Sequence, residues 1–116
     1  MNSPLLEKSL DFATQIVIFY EEFSKSKKDT TIAKQLLRSA TSIGANLHEA
    51  QYAQGTKDFI SKLEIALKEC NETEYWLELL FETGYIPEDD YKKIQNEAGS
   101  IRRMLISSVA TVKKNQ

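Results

Sequence analysis

Three stretches of this chain space their apolar residues at alternating steps of four and three, and that spacing constrains the fold more than any other feature. In the longest stretch the series is Phe59, Leu63, Ala66, Cys70, Thr73, Leu77 and Leu80. Such a series lies along one stripe of an α-helix, as in the seam of a bundle. Leu36, Ala40, Ile43, Leu47 and Ala50 repeat the pattern upstream, and Ile94, Ala98, Ile101, Leu105 and Val112 repeat it downstream, with Ser108 as a polar member at the intervening step. The first part of the chain carries two such stripes, Leu6, Leu10, Ala13, Val17, Tyr20 and Leu5, Phe12, Ile16, Phe19, Phe23. Together they exceed the apolar arc of a simple surface helix, so the first helix is expected to bury more than one face.

Breakers and caps divide the chain between these stripes. With only four Gly and two Pro, little material is available for strands joined by tight turns. Ser3 followed by Pro4 reads as an N-cap with proline at the first helical position, predicting a first helix from about Pro4 to Ser24. Lys25, Lys27 and Lys28 suit its negative C-terminal pole, and Asp29, Thr30 and Thr31 are all able to cap the second helix. That helix is predicted to reach about Gln54, with Gly55 closing it in the left-handed conformation. Thr56 can cap the third helix, Asp58 sits in its first turn, and Gly84 ends it after about Thr83. Pro87 opens a fourth helix that continues to about Lys114, with Glu88, Asp89 and Asp90 at its positive end. The expectation is an all-α fold over residues 1–116, a single antiparallel up-down-up-down four-helix bundle with elements roughly 30–40 Å long.

Ordinary composition, 41% apolar and 28% charged residues, argues for a globular domain rather than a disordered chain. The longest apolar run, Ile16 to Tyr20, is far shorter than the roughly 20 residues that a bilayer demands. The stretch from Met1 to Phe12 lacks the basic and apolar regions of an export signal, so a cytoplasmic protein without membrane association is expected. Cys70 is the only cysteine and has no internal partner for a disulfide.

Chemistry-bearing constellations are missing where a bundle enzyme would need them. A di-iron bundle requires glutamates from two helices and Glu-x-x-His pairs from two more. The only histidine, His48, has Ala45 three residues before it, and the His48-Glu49 pair lacks a second histidine, as a zinc protease helix would require. His48 reads as a surface or subunit-contact side chain. Cys70 lies on the apolar seam, where a thiol behaves as a small hydrophobe. There is no Gly-rich phosphate loop and no G-x-S-x-G, and the acidic residues Glu64, Glu69, Glu72, Glu74, Glu78 and Glu82 are expected on exposed sides of the third helix. No catalytic residue, metal ligand or cofactor is assigned.

Two features suggest binding instead. Arg38, Ser39, Ser42, Asn46 and Glu49 form a polar stripe beside the seam of the second helix. Ser39, Ser42, Gly44 and Asn46 are weak helix formers, Gly44 costing about 1 kcal/mol against Ala, and a compensating contact is expected. The stripe is either a suboptimal exposed face or, the favoured reading, a buried or intersubunit network that satisfies Arg38 and Glu49 together, with Gly44 permitting close approach of another helix. Trp76, beside Tyr75 and off the main seam, is expected in a subunit interface. The second feature is charge asymmetry, an acidic third helix against Lys92, Lys93, Arg102, Arg103, Lys113 and Lys114 on the fourth. The formal net charge of −2 and pI near 5.5 are unlike those of a dedicated phosphate-backbone binder.

Leu36 to Ala50, L-L-R-S-A-T-S-I-G-A-N-L-H-E-A, and Asp58 to Leu77, D-F-I-S-K-L-E-I-A-L-K-E-C-N-E-T-E-Y-W-L, resemble the bacterial four-helix-bundle proteins encoded in intervening sequences of large-subunit ribosomal RNA genes. The resemblance covers most of the chain and is most specific at Arg38-Ser39, Ser42-Ile43, Asn46, Glu49, Asp58-Phe59, Glu72 and Tyr75-Trp76-Leu77. The same family includes the accessory variability determinant of diversity-generating retroelements, a pentameric barrel of four-helix protomers that binds nucleic acid and a reverse transcriptase. The resemblance implies a ring of five here. Two departures stand out: Ala50 replaces the glycine of a Glu-Gly continuation, and the chain is acidic where the retroelement protein is basic. The resulting expectation is a non-enzymatic homo-oligomer, a pentamer, with a scaffolding or RNA-associated role. Arg38, Ser39, Ser42, Gly44, Asn46, Glu49 and Trp76 lie at or near its contacts, and Lys92, Lys93, Arg102 and Arg103 are the candidate nucleic-acid contacts. The alternative is an adaptor whose acidic third helix engages a basic nucleic-acid enzyme.

Overall fold

Over residues 3–26 and 29–116, which the computed structural model of the chain describes, there are four helices and no strand: α1 (Ser3–Ser26), α2 (Thr31–Ala50), α3 (Thr56–Glu82) and α4 (Glu88–Lys114). The all-α bundle follows from the spacing as expected. Lys27 and Lys28 lie outside the described residues, as does the side chain of Ser3 with its expected cap. Each helix packs on two others: α1 against α2 and α4, and α3 against α2 and α4, so α1 and α3 are diagonal. Cross-helix pairs give the directions. On α2 and α3, Ser39 meets Thr73 and Glu49 meets Lys62; on α3 and α4, Glu64 meets Lys113 and Glu74 meets Arg102. Numbers rise on one helix as they fall on its partner, so both pairs are antiparallel. The bundle is a rod of 48 × 21 × 19 Å.

The seams form the core. Leu36, Ala40, Ile43, Leu47 and Ala50 of α2 and Leu63, Ala66, Cys70, Thr73, Leu77 and Leu80 of α3 are all buried, each large aliphatic side chain contributing about 1.5–3 kcal/mol. On α4 the seam runs through Ile94, Ala98, Ile101 and Leu105, then passes to Val109, leaving Val112 at the edge. A straight helix of 3.6 residues per turn drifts from a 3.5-residue repeat, and the shift by one step is that drift. Phe59 packs on the core from its rim, while Ile60 is covered beside Lys113 and Gln116 at the end of α4.

On α1 the sequence expectation needs correction. Leu5, Phe12, Ile16 and Phe23 are buried, but Leu10 is 67% exposed, Ile18 57% and Val17 40%. With α3 on the diagonal, α1 has two neighbours rather than three, and one apolar stripe suffices for them.

Two helix ends also differ from expectation. Helix α2 stops at Ala50 rather than near Gln54, and the Gln51, Tyr52 and Ala53 N–H groups bond the carbonyls of His48, Glu49 and Ala50 in tight three-residue closures. Gly55 does not close α2 in the left-handed region. It precedes α3 in extended backbone (φ 160°), and the Asp58 carboxylate accepts the Gln54 N–H at 3.2 Å. Gly84 has φ +81° as expected. Its N–H bonds the Phe81 carbonyl and the Tyr85 N–H bonds the Leu80 carbonyl, the paired closure of a Schellman motif. Asp29 caps from outside α2, accepting the Thr31 N–H at 2.9 Å, and that bond holds its carboxyl below the ordinary range. Pro87 sits one position before α4 rather than inside it.

Candidate functional site

The polar stripe of α2 divides among three environments. Arg38 reaches across to α3, donating from Nη1 to Glu69 at 3.2 Å and from Nη2 to Glu72. The Trp76 indole N–H donates to the same Glu72 carboxylate at 3.1 Å. Arg38 first and Trp76 second hold the Glu72 carboxyl below its usual range, and the Glu72 hydrogen bond raises the Arg38 guanidinium. Ser39 is fully buried against Thr73. Ser42 and Asn46 bond locally, to the carbonyls of Arg38 and Ser42 at 2.7 and 2.8 Å, so each uses a side-chain donor on its own helix rather than on a partner helix.

Glu49 pairs with Lys62 at 3.5 Å, and within the protomer it shares no partner with Arg38. Three turns of helix, about 16 Å, separate the two. Trp76 is half-buried, packed against the core and edge-on to Tyr75 at 5.0 Å.

Gly44 belongs to a different surface. A Cβ there would lie 3.5 Å from Ser9 Oγ of α1, an ordinary contact. Around it Leu6, Leu10 and Ala13 of α1 and Thr41, Ala45 and His48 of α2 line an apolar groove of about 440 Å³. His48 is exposed at the groove and stands edge-on to Tyr52 at 5.6 Å.

The acidic residues of α3 are less available than expected. Glu69 and Glu72 are taken by Arg38, Glu74 by Arg102 at 2.7 Å and Glu64 by Lys113 at 3.4 Å. Three of these four are half-buried, because a carboxylate beside the seam lies within reach of cations on the neighbouring helices. Among the described residues, Glu78 and Glu82 form no ion pair.

The four candidate nucleic-acid contacts on α4 also divide. Lys92 pairs with Glu88 at 3.0 Å, and Lys93 stands apart by Asp90 and Ile18. Arg102 and Arg103 come together over Gly99, where a Cβ would meet Arg103 Nη1 at 3.2 Å and Arg102 Nη2 at 3.6 Å. They and Lys92 border a polar cleft of about 440 Å³ between α3 and α4, completed by Glu74, Tyr91, Gln95 and Asn96. Sequence reasoning missed Gly99, Gln95 and Tyr91. A glycine inside a helix, unpaid by any turn, was the signal that could have led to this cleft.

Cys70 is wholly buried, its thiol donates to the Ala98 carbonyl at 3.3 Å, and burial pushes its pKa up to about 12. It packs the core, as expected. Among the described residues no three of His, Cys, Asp and Glu gather as a metal site, and no helix is long and apolar enough to cross a membrane.

Comparison with known proteins adds a family to this geometry. The sequence profile of the 23S rRNA-intervening sequence proteins matches residues 2–107. A crystal structure of a protein of unknown function from the S23 ribosomal protein family of Bacteroides thetaiotaomicron superposes with a TM-score of 0.88 at 51% identity, covering 90% of this chain and 97% of that one. No curated protein matches the chain.

Proposed function

Because the chain belongs to the 23S rRNA-intervening sequence protein family, we propose that it is a non-enzymatic cytoplasmic binding protein, a homo-oligomer of five that associates with RNA. The observation that carries this reading is the apolar outer face of α1. Leu10 and Val17 stand exposed on one stripe, and Leu10 opens into the groove that α1 forms with α2 around Gly44 and Ala45. Apolar area of this kind, continuous along a helix, is what a second copy would cover. His48 and Gly44 then lie at the contact, while Arg38, Ser39, Ser42, Asn46 and Glu49 act within the protomer. Trp76, beside the Arg38 pairs, is a further contact of the assembly. Lys93 and Arg103, which form no ion pair among the described residues, are the cations offered to RNA. The adaptor reading through acidic α3 has less to draw on, since four of its six glutamates are already paired.

Light scattering on the wild-type chain and on Leu10→Glu and Gly44→Leu tests the assembly. The expected result is a fivefold mass for the wild type that falls in both variants, with helical circular dichroism retained in Leu10→Glu because position 10 faces outward. A wild-type monomer, or a well-folded Leu10→Glu protein with wild-type mass, overturns it. RNA capture that weakens steeply with salt supports the binding role, and no capture at low salt removes it.

A further inference from the structure

We infer that the polar cleft between α3 and α4 is a phosphate-binding site, held by Arg102 and Arg103 over Gly99. Adjacent residues on a helix diverge, yet both arginines point back toward the preceding turn, and Gly99 lies three positions before one and four before the other. Any side chain at 99 would meet the Arg103 guanidinium at 3.2 Å. Gly99 is buried in the middle of α4, where glycine costs about 1 kcal/mol against alanine. The room it leaves is occupied by two cations.

The charge of the cleft points to an anion. Arg102 and Arg103 face it against one lining carboxylate, Glu74, with Lys92 at the border already paired to Glu88. Glu74 takes Arg102 through Nε at 2.7 Å, so that bond leaves the Arg102 Nη groups to other acceptors, and Arg103 has no acidic partner among the described residues. Two guanidiniums brought near one point favour an anion that reaches both. Forked N–H donors on both suit the oxygens of a phosphate group.

Polar groups line the rest of the wall. Gln95 Nε2 donates to the Glu74 carbonyl and to Tyr91 Oη, both at 3.2 Å. The carbonyl acceptor fixes which end of the amide is nitrogen, and Gln95 Oε1 is left buried without a partner among the described residues. Tyr91 is held flat against Phe81, ring centres 4.4 Å apart and 4° from parallel, which keeps the side of the cleft rigid. The phosphate could belong to an RNA backbone or to a small phosphate ester; the chemistry that binds it is the same.

The inference rests on the RNA-associated reading only for the identity of a large ligand, and the test keeps the two apart. The isotopically labelled full chain is titrated by NMR with inorganic phosphate, with a nucleoside monophosphate and with a ten-nucleotide single-stranded RNA, as wild type, Arg103→Gln and Lys34→Gln. The expected result is saturable shifts at the Gln95 side-chain amide and at Gly99, Arg102 and Arg103 with phosphate. Binding should fall at least tenfold in Arg103→Gln and change less than twofold in Lys34→Gln, a control at an exposed cation of α2 outside the cleft. RNA displaced by phosphate assigns the site to the backbone, and phosphate binding without competition assigns it to a small ester; both support the site. Absence of saturable shifts, or equal losses in both variants, overturns it. RNA binding that leaves the cleft resonances unmoved overturns the cleft while leaving the RNA reading intact.

Discussion

Thr73 of α3 and Ser39 of α2 meet hydroxyl to hydroxyl at 2.9 Å in the centre of the bundle, both wholly buried. Each also reaches a carbonyl of its own helix, Glu69 at 2.8 Å and Leu36 at 3.2 Å. Two protons then serve the contact between the helices and one of these carbonyls, and no hydroxyl is stranded. The pair fixes the axial register of α2 on α3, since a slide in either direction would set a buried hydroxyl against aliphatic groups.

Replacing Thr73 by Val keeps the shape and removes the cross-helix bond, so stability should fall by about 1–2 kcal/mol. Ser39→Ala should cost a similar amount. In the double variant the bond is lost only once, and the combined cost should fall below the sum by about 0.5–1 kcal/mol. Urea unfolding at one fixed protein concentration measures all three; strict additivity would show that the pair contributes no coupling.

The Glu72 carboxylate gives the chain an acid-sensitive clasp. Arg38 and Trp76 lower its folded pKa, so the stability it supplies is fully present above the unfolded value of about 4.3 and is lost as pH falls through the folded one. Glu72→Gln should therefore have a shallower decline in stability than the wild type below about pH 4.3. Trp76 reports the same event, because its N–H donates to that carboxylate. Its emission should shift in the same acid range in the wild type and stay flat there in Glu72→Gln, as followed by fluorescence titration of the folded protein.

Gly84 and Gly44 should respond in opposite directions to alanine. Gly84 holds φ +81° in the Schellman closure, and a side chain there costs about 1 kcal/mol of backbone strain. Gly44 is helical, and an added methyl meets Ser9 Oγ only at 3.5 Å, so Gly44→Ala should gain up to about 1 kcal/mol in helix propensity. Thermal unfolding of the two variants beside the wild type reads the sign of each.

What could be read in advance was what one helix says about itself. The seam of α2 was legible to its last residue, since burial on a helix follows its own spacing. The end of α2 was not, because Gln51, Tyr52, Ala53 and Gln54 include no breaker, and the helix stops through tight carbonyl bonds that no side chain announces. The partners of Arg38 were hidden for a different reason. Which carboxylates it meets depends on the rotation and axial offset of α3 against α2, which spacing along α2 does not encode. On α1 the two stripes were visible, but which one a neighbour would cover depends on the diagonal placement of α3. At the cleft the cations Arg102 and Arg103 were legible as charges, while their convergence depends on the absent side chain at Gly99.

The seclusion of Cys70 has a bearing on how copies of this chain can join. It is the only thiol in the sequence, it is sealed inside the bundle, and its raised pKa keeps it protonated at neutral pH. Oxidants therefore have no sulfur with which to weld one protomer to the next. Any assembly then holds without disulfides and obeys mass action: its extent follows the local concentration of the chain rather than the redox state of its surroundings.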